Sequence, residues 1–261
     1  MNVRIMPCLD MRNGRVVKGV QFVDIRDAGD PVACCRAYCE QGADEIALLD
    51  ITATVEGRAT MVDVVRRVAD VASVPFTVGG GINSVAAAAI IIEAGANKVS
   101  TSSAAFREPE LIGEMVKALG ADRVTVAIDA DVNASLPSGY EVYVDGGRTP
   151  TGADAVEFAK RMAGYGVSAI LPTSKNTDGV KHGYDLPLIR KIREVTSSDV
   201  VASGGAGTLE HFFEAYRAGA TVLLAASVFH FQIIRIPELK DYLKNRGVPT
   251  IPIKNGGSPI A

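Results

Sequence analysis

Residues 75–85 read PFTVGGGINSV, and residues 199–209 read DVVASGGAGTL. Each starts as a short apolar, β-branched run, passes through adjacent glycines and ends on a hydroxyl residue ahead of a helical pattern. That is the order strand, tight turn, N-cap, helix. Outward from these two stretches, at the same offset of 124, Gly42 falls on Gly166, Ser84 on Thr208, Ala94-Gly95-Ala96 on Ala218-Gly219-Ala220, and Ser103 on Ser227. Cys8-Leu9-Asp10 echoes Ala127-Ile128-Asp129 at a similar offset of 119. A chain that returns to the same strand–helix units after half its length is built of two like halves.

Short apolar runs alternate with amphipathic stretches along the rest of the chain. Strands are expected at 4–9, 45–49, 75–78, 98–100, 123–128, 169–171, 200–202 and 222–225, and helices at 61–71, 84–94, 108–119, 153–165, 186–195 and 208–218. Strands that are apolar throughout, rather than alternating, belong to a parallel sheet covered on both faces. Eight such units in 261 residues fit an α/β fold of the (β/α)8 TIM barrel type with a pseudo-two-fold half-barrel repeat, one domain over residues 1–247. Two segments depart from the alternation. Residues 12–31 form a long Gly- and charge-rich connection expected to be a functional lid or a disordered loop. The tail 248–261, which contains Pro and Gly, is expected to be poorly ordered.

A net charge of −3 and an isoelectric point near 5.7 leave no general basic surface for holding nucleic acid by counterion release, so nucleic acid is not an expected partner. No apolar run approaches the roughly 18 to 20 residues that cross a bilayer, and the first residues do not resemble a signal segment; a cytoplasmic protein without membrane association is expected. Cys34, Cys35 and Cys39 crowd one expected helix and Cys8 lies in a strand, a distribution that suits reduced packing side chains rather than a disulfide framework. The three histidines have no ligand spacing, so no metal site is expected and no cofactor is indicated. His211 and His230 are read as packed side chains.

In a barrel of parallel strands the reactive groups stand at the C-terminal strand ends. Gly79-Gly80-Gly81 and Ser203-Gly204-Gly205 both follow a strand and precede a helix, so main-chain N–H groups and a helix dipole would converge on an anion there. Ser102-Ser103 and Ala226-Ser227 end the fourth and eighth strands beside these loops. Such glycines can serve tight turns and close packing alone. Two matched loops with matched small polar clusters point instead to two phosphate cradles, and so to a substrate with a phosphate at each end. Asp10 and Asp129 end the first and fifth strands, opposite one another in an eight-stranded ring, and would face the substrate's middle as an acid/base pair. The competing role of a strand-end Asp is to cap a helix or loop, which weighs more for Asp50. Asp178, followed by Gly179, is a turn residue or a substrate ligand, and Lys18 is a lid cation or a solvated loop charge.

Pro7-Cys8-Leu9-Asp10, Val16-Val17-Lys18-Gly19, Leu49-Asp50-Ile51-Thr52-Ala53, Thr77-Val78-Gly79-Gly80-Gly81-Ile82, Ala127-Ile128-Asp129-Ala130, Ala202-Ser203-Gly204-Gly205-Ala206-Gly207 and Ala225-Ala226-Ser227-Val228-Phe229-His230-Phe231 closely resemble the cyclase subunits of imidazole glycerol phosphate synthase in histidine biosynthesis. The resemblance runs to about Gly247. It implies a (β/α)8 lyase that takes a bisphosphorylated ribulosyl aminoimidazole carboxamide and ammonia, closes an imidazole ring, and releases imidazole glycerol phosphate and an aminoimidazole carboxamide ribotide. Asp10 and Asp129 are then catalytic. Lys18, Asp50, Thr173 and Asp178 contact substrate, and Gly80, Gly81, Ser103, Gly204, Gly205, Ala226 and Ser227 hold phosphate. The resemblance also implies a glutaminase partner on the opposite, N-terminal face, with ammonia travelling along the barrel axis past a ring of charges that includes Arg4, Glu45 and Lys98. The sister isomerase of the pathway shares the fold, the substrate type and two strand-end aspartates, but Cys8-Leu9-Asp10 and the 225–231 segment favour the cyclase. A non-catalytic phosphate-binding scaffold would not need both aspartates.

The chain departs from the family pattern at several positions. The fourth gate position, a glutamate in the family, is Ala169, the repeat counterpart of Glu45. The acidic residue before the gate lysine is Asn97, an asparagine of the phosphate cluster is Ser102, and a lysine after the second aspartate is Asp131. The 172–177 stretch is less acidic and lacks an arginine. Loss of one gate carboxylate is expected to break the ring of ion pairs and leave a leakier gate. Free ammonia, a divergent glutaminase or an altered substrate are the outcomes this would fit.

Overall fold

The computed structural model describes residues 2–20, 23–53 and 62–253, the side chains of 18–20 and 23–28 excepted. Twelve strands are described: β1 (Arg4–Arg12), β2 (Arg15–Val20), β3 (Val23–Gly29), β4 (Ile46–Asp50), β5 (Phe76–Gly79), β6 (Lys98–Thr101), β7 (Val124–Val132), β8 (Tyr140–Val144), β9 (Thr149–Asp154), β10 (Ala169–Ser174), β11 (Asp199–Ala202) and β12 (Val222–Ala225). Eight of them close a parallel ring in the order β1-β4-β5-β6-β7-β10-β11-β12 and back to β1. The chain is a (β/α)8 barrel, and each expected strand is one of its staves.

Alternation of side chains sorts the strand residues into two apolar groups. Ile5, Leu9, Val78, Val99, Val126 and Ile170 point outward into the main core beneath the helices. Met6, Cys8, Ala47, Leu171, Val201 and Leu224 point inward and fill the lumen. The half-barrel repeat persists in register: Thr77 pairs with Lys98, and its counterpart Val201 with Val222, the counterpart of Lys98. It also persists in packing. Gly95 and Gly219 turn the chain at φ +109° and +107°, and a Cβ on either would stand 2.5 Å from Ala69 or Arg193, themselves equivalent positions. Only glycine fits such a left-handed turn pressed onto the preceding helix.

The helices follow the sequence signals. Val85–Glu93 is capped by the Ser84 hydroxyl, which accepts from the Ala87 N–H, and buries Ala88 and Ile91 one turn apart. Leu186–Val195 has the Asp185 carboxylate accepting from the Leu188 N–H, with Pro187 in its first turn, where a missing N–H costs nothing.

Three expectations need correction. Residues 12–31 are not an irregular lid: β1 runs on past its barrel pairing and folds into β2 and β3 as antiparallel neighbours. The turn is Asn13-Gly14, both at positive φ, the pair most suited to a two-residue hairpin, and the buried Val16 packs in the core. Secondly, β7 also continues beyond the barrel, into the unanticipated hairpin β8–β9. Thirdly, the tail expected from 248 is packed as far as Ile253. Val248 is buried, the Val3 N–H donates to the Pro249 carbonyl, and Val3 bridges Thr250. Residues 254–261 lie outside the described residues.

The pin for that segment is a buried ion pair. Lys240 Nζ, on the helix Ile236–Asn245, lies 2.6 Å from Asp44 Oδ1 and donates to the Ile251 carbonyl, while Asp44 Oδ2 accepts from the Ile5 N–H. Burial raises the Asp44 pKa and the ammonium opposes that rise. Removing one partner strands the other charge, so Lys240→Met should lower the unfolding free energy by about 3–5 kcal/mol. Chemical denaturation would measure this, and Asp44→Asn in the same chain should recover part of the loss.

Candidate active site

The C-terminal ends of the strands open onto one cleft of about 430 Å³, within the range of small-molecule sites. Asp10, Asp50, Gly80, Gly81, Ser102, Ser103, Asp129, Thr173, Asp178, Gly179, Ser203, Gly204, Gly205, Ala226 and Ser227 all line it. The Lys18 side chain lies outside the described residues; its backbone is in β2.

The two glycine loops have one backbone. Gly80 and Gly81 sit at φ +99° and +72°, and their counterparts Gly204 and Gly205 at +82° and +103°. Close approach also demands glycine, since a Cβ on Gly80 would stand 2.1 Å from the Asp50 carbonyl and one on Gly205 2.0 Å from that of Gly183. Beside each loop a short helix begins, Ser103–Arg107 after β6 and Ser227–His230 after β12. The preceding residues share an unusual conformation, φ −125° and ψ −86° at Ser102, φ −115° and ψ −75° at Ala226, and neither helix has a side-chain cap. The first N–H groups of both helices thus have no side-chain acceptor at the cap position, the arrangement that suits an anion. Ser103 Oγ accepts from the Asp145 N–H at 2.8 Å, leaving its own proton for a ligand.

Asp10 and Asp129 stand on β1 and β7, four steps apart in the ring of eight, and face each other across the cleft. Cys8 Sγ donates to Asp10 Oδ1 at 3.2 Å. Asp129 pairs in register with Thr173. Burial pushes its pKa up to about 6, with further help from the nearby Asp178 carboxylate, while the Lys175 ammonium pulls the other way. A carboxyl poised there can both hold and release a proton near neutral pH. Asp50 has the anchoring role as well as a place in the cleft: its Oδ1 accepts from the N–H groups of Thr52 and Ala53 at 3.3 and 3.2 Å.

Two of the departures from the family pattern meet in space. Lys175 Nζ lies 3.6 Å from Asp131 Oδ2 and 3.6 Å over the Tyr143 ring, so the acidic residue at 131 and the basic one in the 172–177 stretch form a pair. Asn97 accepts from the Phe76 N–H through Oδ1, tying the strand start rather than projecting a charge. Sequence reasoning overlooked Arg107 and Lys181, cations that line the cleft near the two cradles. Arg107 is tied to Asp145 at 2.5 Å, a link made by the unanticipated hairpin, so no local pattern signalled it.

At the opposite end of the barrel Arg4, Glu45 and Lys98 do come together: Arg4 Nη1 lies 2.5 Å from Glu45 Oε1, and Lys98 Nζ 3.3 Å from Glu45 Oε2. The gap expected at Ala169 is not left open, because Asp199, its register partner on the next strand, reaches Arg4 Nη2. Among the described residues the ion pairs run Lys98–Glu45–Arg4–Asp199 as an open chain and not a closed ring, with Arg4 held by a second carboxylate despite Ala169.

The family model for histidine biosynthesis proteins matches residues 4–235. The imidazole glycerol phosphate synthase subunit HisF of Exiguobacterium sibiricum is 51% identical over 245 residues, covering 94% of this chain and 97% of that protein. No described helix is long and apolar enough to cross a membrane.

The surroundings of Asp129 make a signed prediction. Asp178→Asn removes a repelling charge and should lower the Asp129 pKa, and Lys175→Met should raise it, each by about 0.5–1 unit, as read by carboxyl 13C titration. Because the folded pKa lies above the ordinary value of 3.8, stability should fall as pH rises from about 4 to 6 and stay lower above that. Asp129→Asn should therefore gain about 2–3 kcal/mol of stability at pH 7.5 and almost none below pH 4.

Proposed function

As this chain belongs to the histidine biosynthesis protein family, we propose that it closes the imidazole ring of imidazole glycerol phosphate as a HisF-type cyclase, a lyase. The substrate is a bisphosphorylated ribulosyl aminoimidazole carboxamide, the nitrogen donor is ammonia, and aminoimidazole carboxamide ribotide leaves as the second product. The observation that carries the reading is the matched pair of cradles on opposite sides of the cleft, with Asp10 and Asp129 facing each other between them.

Each cradle takes one phosphate. Gly80, Gly81, Ser102 and Ser103 receive one; Ser203, Gly204, Gly205, Ala226 and Ser227 receive the other, with Asp178, Gly179 and Thr173 closing over the ribulosyl chain and Asp50 bracing the first glycine loop. Lys18 adds a cation from the hairpin after β1. Two anchored ends fix the middle of the substrate over the axis, which converts ring closure into a positioned reaction. The incoming nitrogen must shed protons as it becomes a ring atom, and the departing aminoimidazole nitrogen must gain one. Asp129, with its pKa near 6, is suited to deliver and recover a proton, and Asp10 works from the other face. Identity to a HisF chain supports this over the isomerase alternative.

Ammonia comes from a glutaminase subunit docked on the N-terminal face, enters past Arg4, Glu45 and Lys98, and follows the axis to the cleft. Asn97 and Ala169 change the detail of that face, where Lys98, Glu45, Arg4 and Asp199 form a chain of ion pairs.

The purified chain should turn over the ribulosyl bisphosphate with ammonium salt alone, and with glutamine once a HisH-type glutaminase is added. No turnover with either, despite substrate binding, would sink the cyclase reading. Asp10→Asn and Asp129→Asn should each lower kcat by about 10²–10⁴-fold while substrate affinity stays nearly unchanged, because the cradles hold the phosphates; a proportionate loss of binding would count against the acid/base roles.

A further inference from the structure

The floor of the barrel holds four charged side chains in a small space, and Asp199 completes them. Arg4 and Lys98 carry two positive charges, Glu45 and Asp199 two negative ones, and the four side chains are between 7% and 20% exposed. A layer of paired charges is a poor way to stabilise a barrel end, where well-packed apolar side chains do as well or better. Directly above lies a cavity of about 10 Å³ lined by Arg4, Glu45 and Lys98 below and by Met6, Leu171 and Val201 higher up. That is room for one water-sized molecule.

Asp199 is built into its place. Its Oδ1 accepts from Thr221 Oγ1 at 2.8 Å while Oδ2 meets Arg4 Nη2. The same Thr221 fixes the other partner, since its carbonyl accepts from the Arg4 N–H at 3.1 Å. Asp199 pairs with Ala169 across the β10–β11 register, so the carboxylate stands at the same height in the barrel, one strand spacing of about 4.8 Å further round. Ala169 itself lines the cavity.

We propose that Asp199 is the latch of the axial opening. It holds Arg4 across the floor in place of a carboxylate at position 169, and a water-sized molecule passes between the N-terminal face and the axial cavity only when the Arg4–Asp199 pair opens. That the molecule is ammonia rests on the cyclase reading above. Asp199 touches no reacting atom and is a positioning residue for Arg4.

The latch makes the open fraction of the floor set the apparent KM for ammonia. Asp199→Ala should lower the KM for ammonia in ammonium-driven turnover of the isolated chain by about 5- to 10-fold, with kcat at saturating ammonia unchanged. Adding Ala169→Glu to that variant returns a carboxylate to Arg4 from the neighbouring strand and should restore the original KM, a rescue that simple loss of packing cannot give. A readout independent of turnover accompanies these: 15N spectra of the Arg4 guanidinium should show restricted rotation in the unmodified chain, faster rotation in Asp199→Ala, where Glu45 alone still holds it, and slowed rotation again in the double variant. An unchanged KM and an unchanged Arg4 signal in a natively folded Asp199→Ala chain would overturn the latch. Absence of ammonium turnover in the unmodified chain would overturn the cyclase reading instead, and the guanidinium spectra would still decide the latch.

Discussion

Closure of eight parallel strands leaves each strand one inward position in two, and the whole molecule is organised by that period. The inward column of β1 is Arg4, Met6, Cys8, Asp10, and that of β11 and the residue beyond it is Asp199, Val201, Ser203. From bottom to top both columns pass from a charged floor through an apolar lumen to a polar rim. The lumen cluster of Met6, Ala47, Leu171, Val201 and Leu224 thus separates two polar layers with a medium of low polarisability. Charges on either side act more strongly on their near neighbours than they would in water, which is how a carboxyl such as Asp129 comes to feel Asp178 and Lys175.

The parts of this that could be read from the sequence are those with local periodicity or local repetition. Apolar runs gave the eight staves, and the 124-residue repeat paired Gly80 with Gly204 and Ser103 with Ser227, positions that share backbone geometry as well as spacing. Contacts made by distant segments were not legible. Nothing around Asp199 distinguishes it from an ordinary polar residue at a strand start, and its meaning comes from Arg4 and Thr221, 195 and 22 positions away. The pairing of Asp131 with Lys175 was hidden in the same way. Asn13-Gly14 was a different failure: the hairpin signal was present, but length and charge made 12–31 look like a loop.

On the cyclase reading proposed above, the two halves keep their symmetry where the ligand is symmetric and lose it where the chemistry is not. Both cradles use glycines at positive φ followed by a short uncapped helix. The two facing aspartates, by contrast, have different surroundings, a thiol donor at Asp10 and an acidic and a basic neighbour at Asp129. A pair that divides proton donation from proton acceptance needs such a difference. The difference lies in β1, which carries Cys8 where β7 has Ala127, and in the segment after β10, which brings Lys175 and Asp178 to Asp129 alone.

Ser102 and Ala226 hold nearly the same backbone angles with different side chains. A binding element written in main-chain N–H groups is indifferent to the residue that carries them, so mutational drift at these two positions has little to erode. The constraint lies instead on the glycines, which the neighbouring carbonyls of Asp50 and Gly183 leave no room to replace. For a barrel built of two like halves, the proposed cradles imply a division of labour: main-chain anchors can stay fixed in both halves while the residues between them, with no phosphate to hold, diverge toward new chemistry.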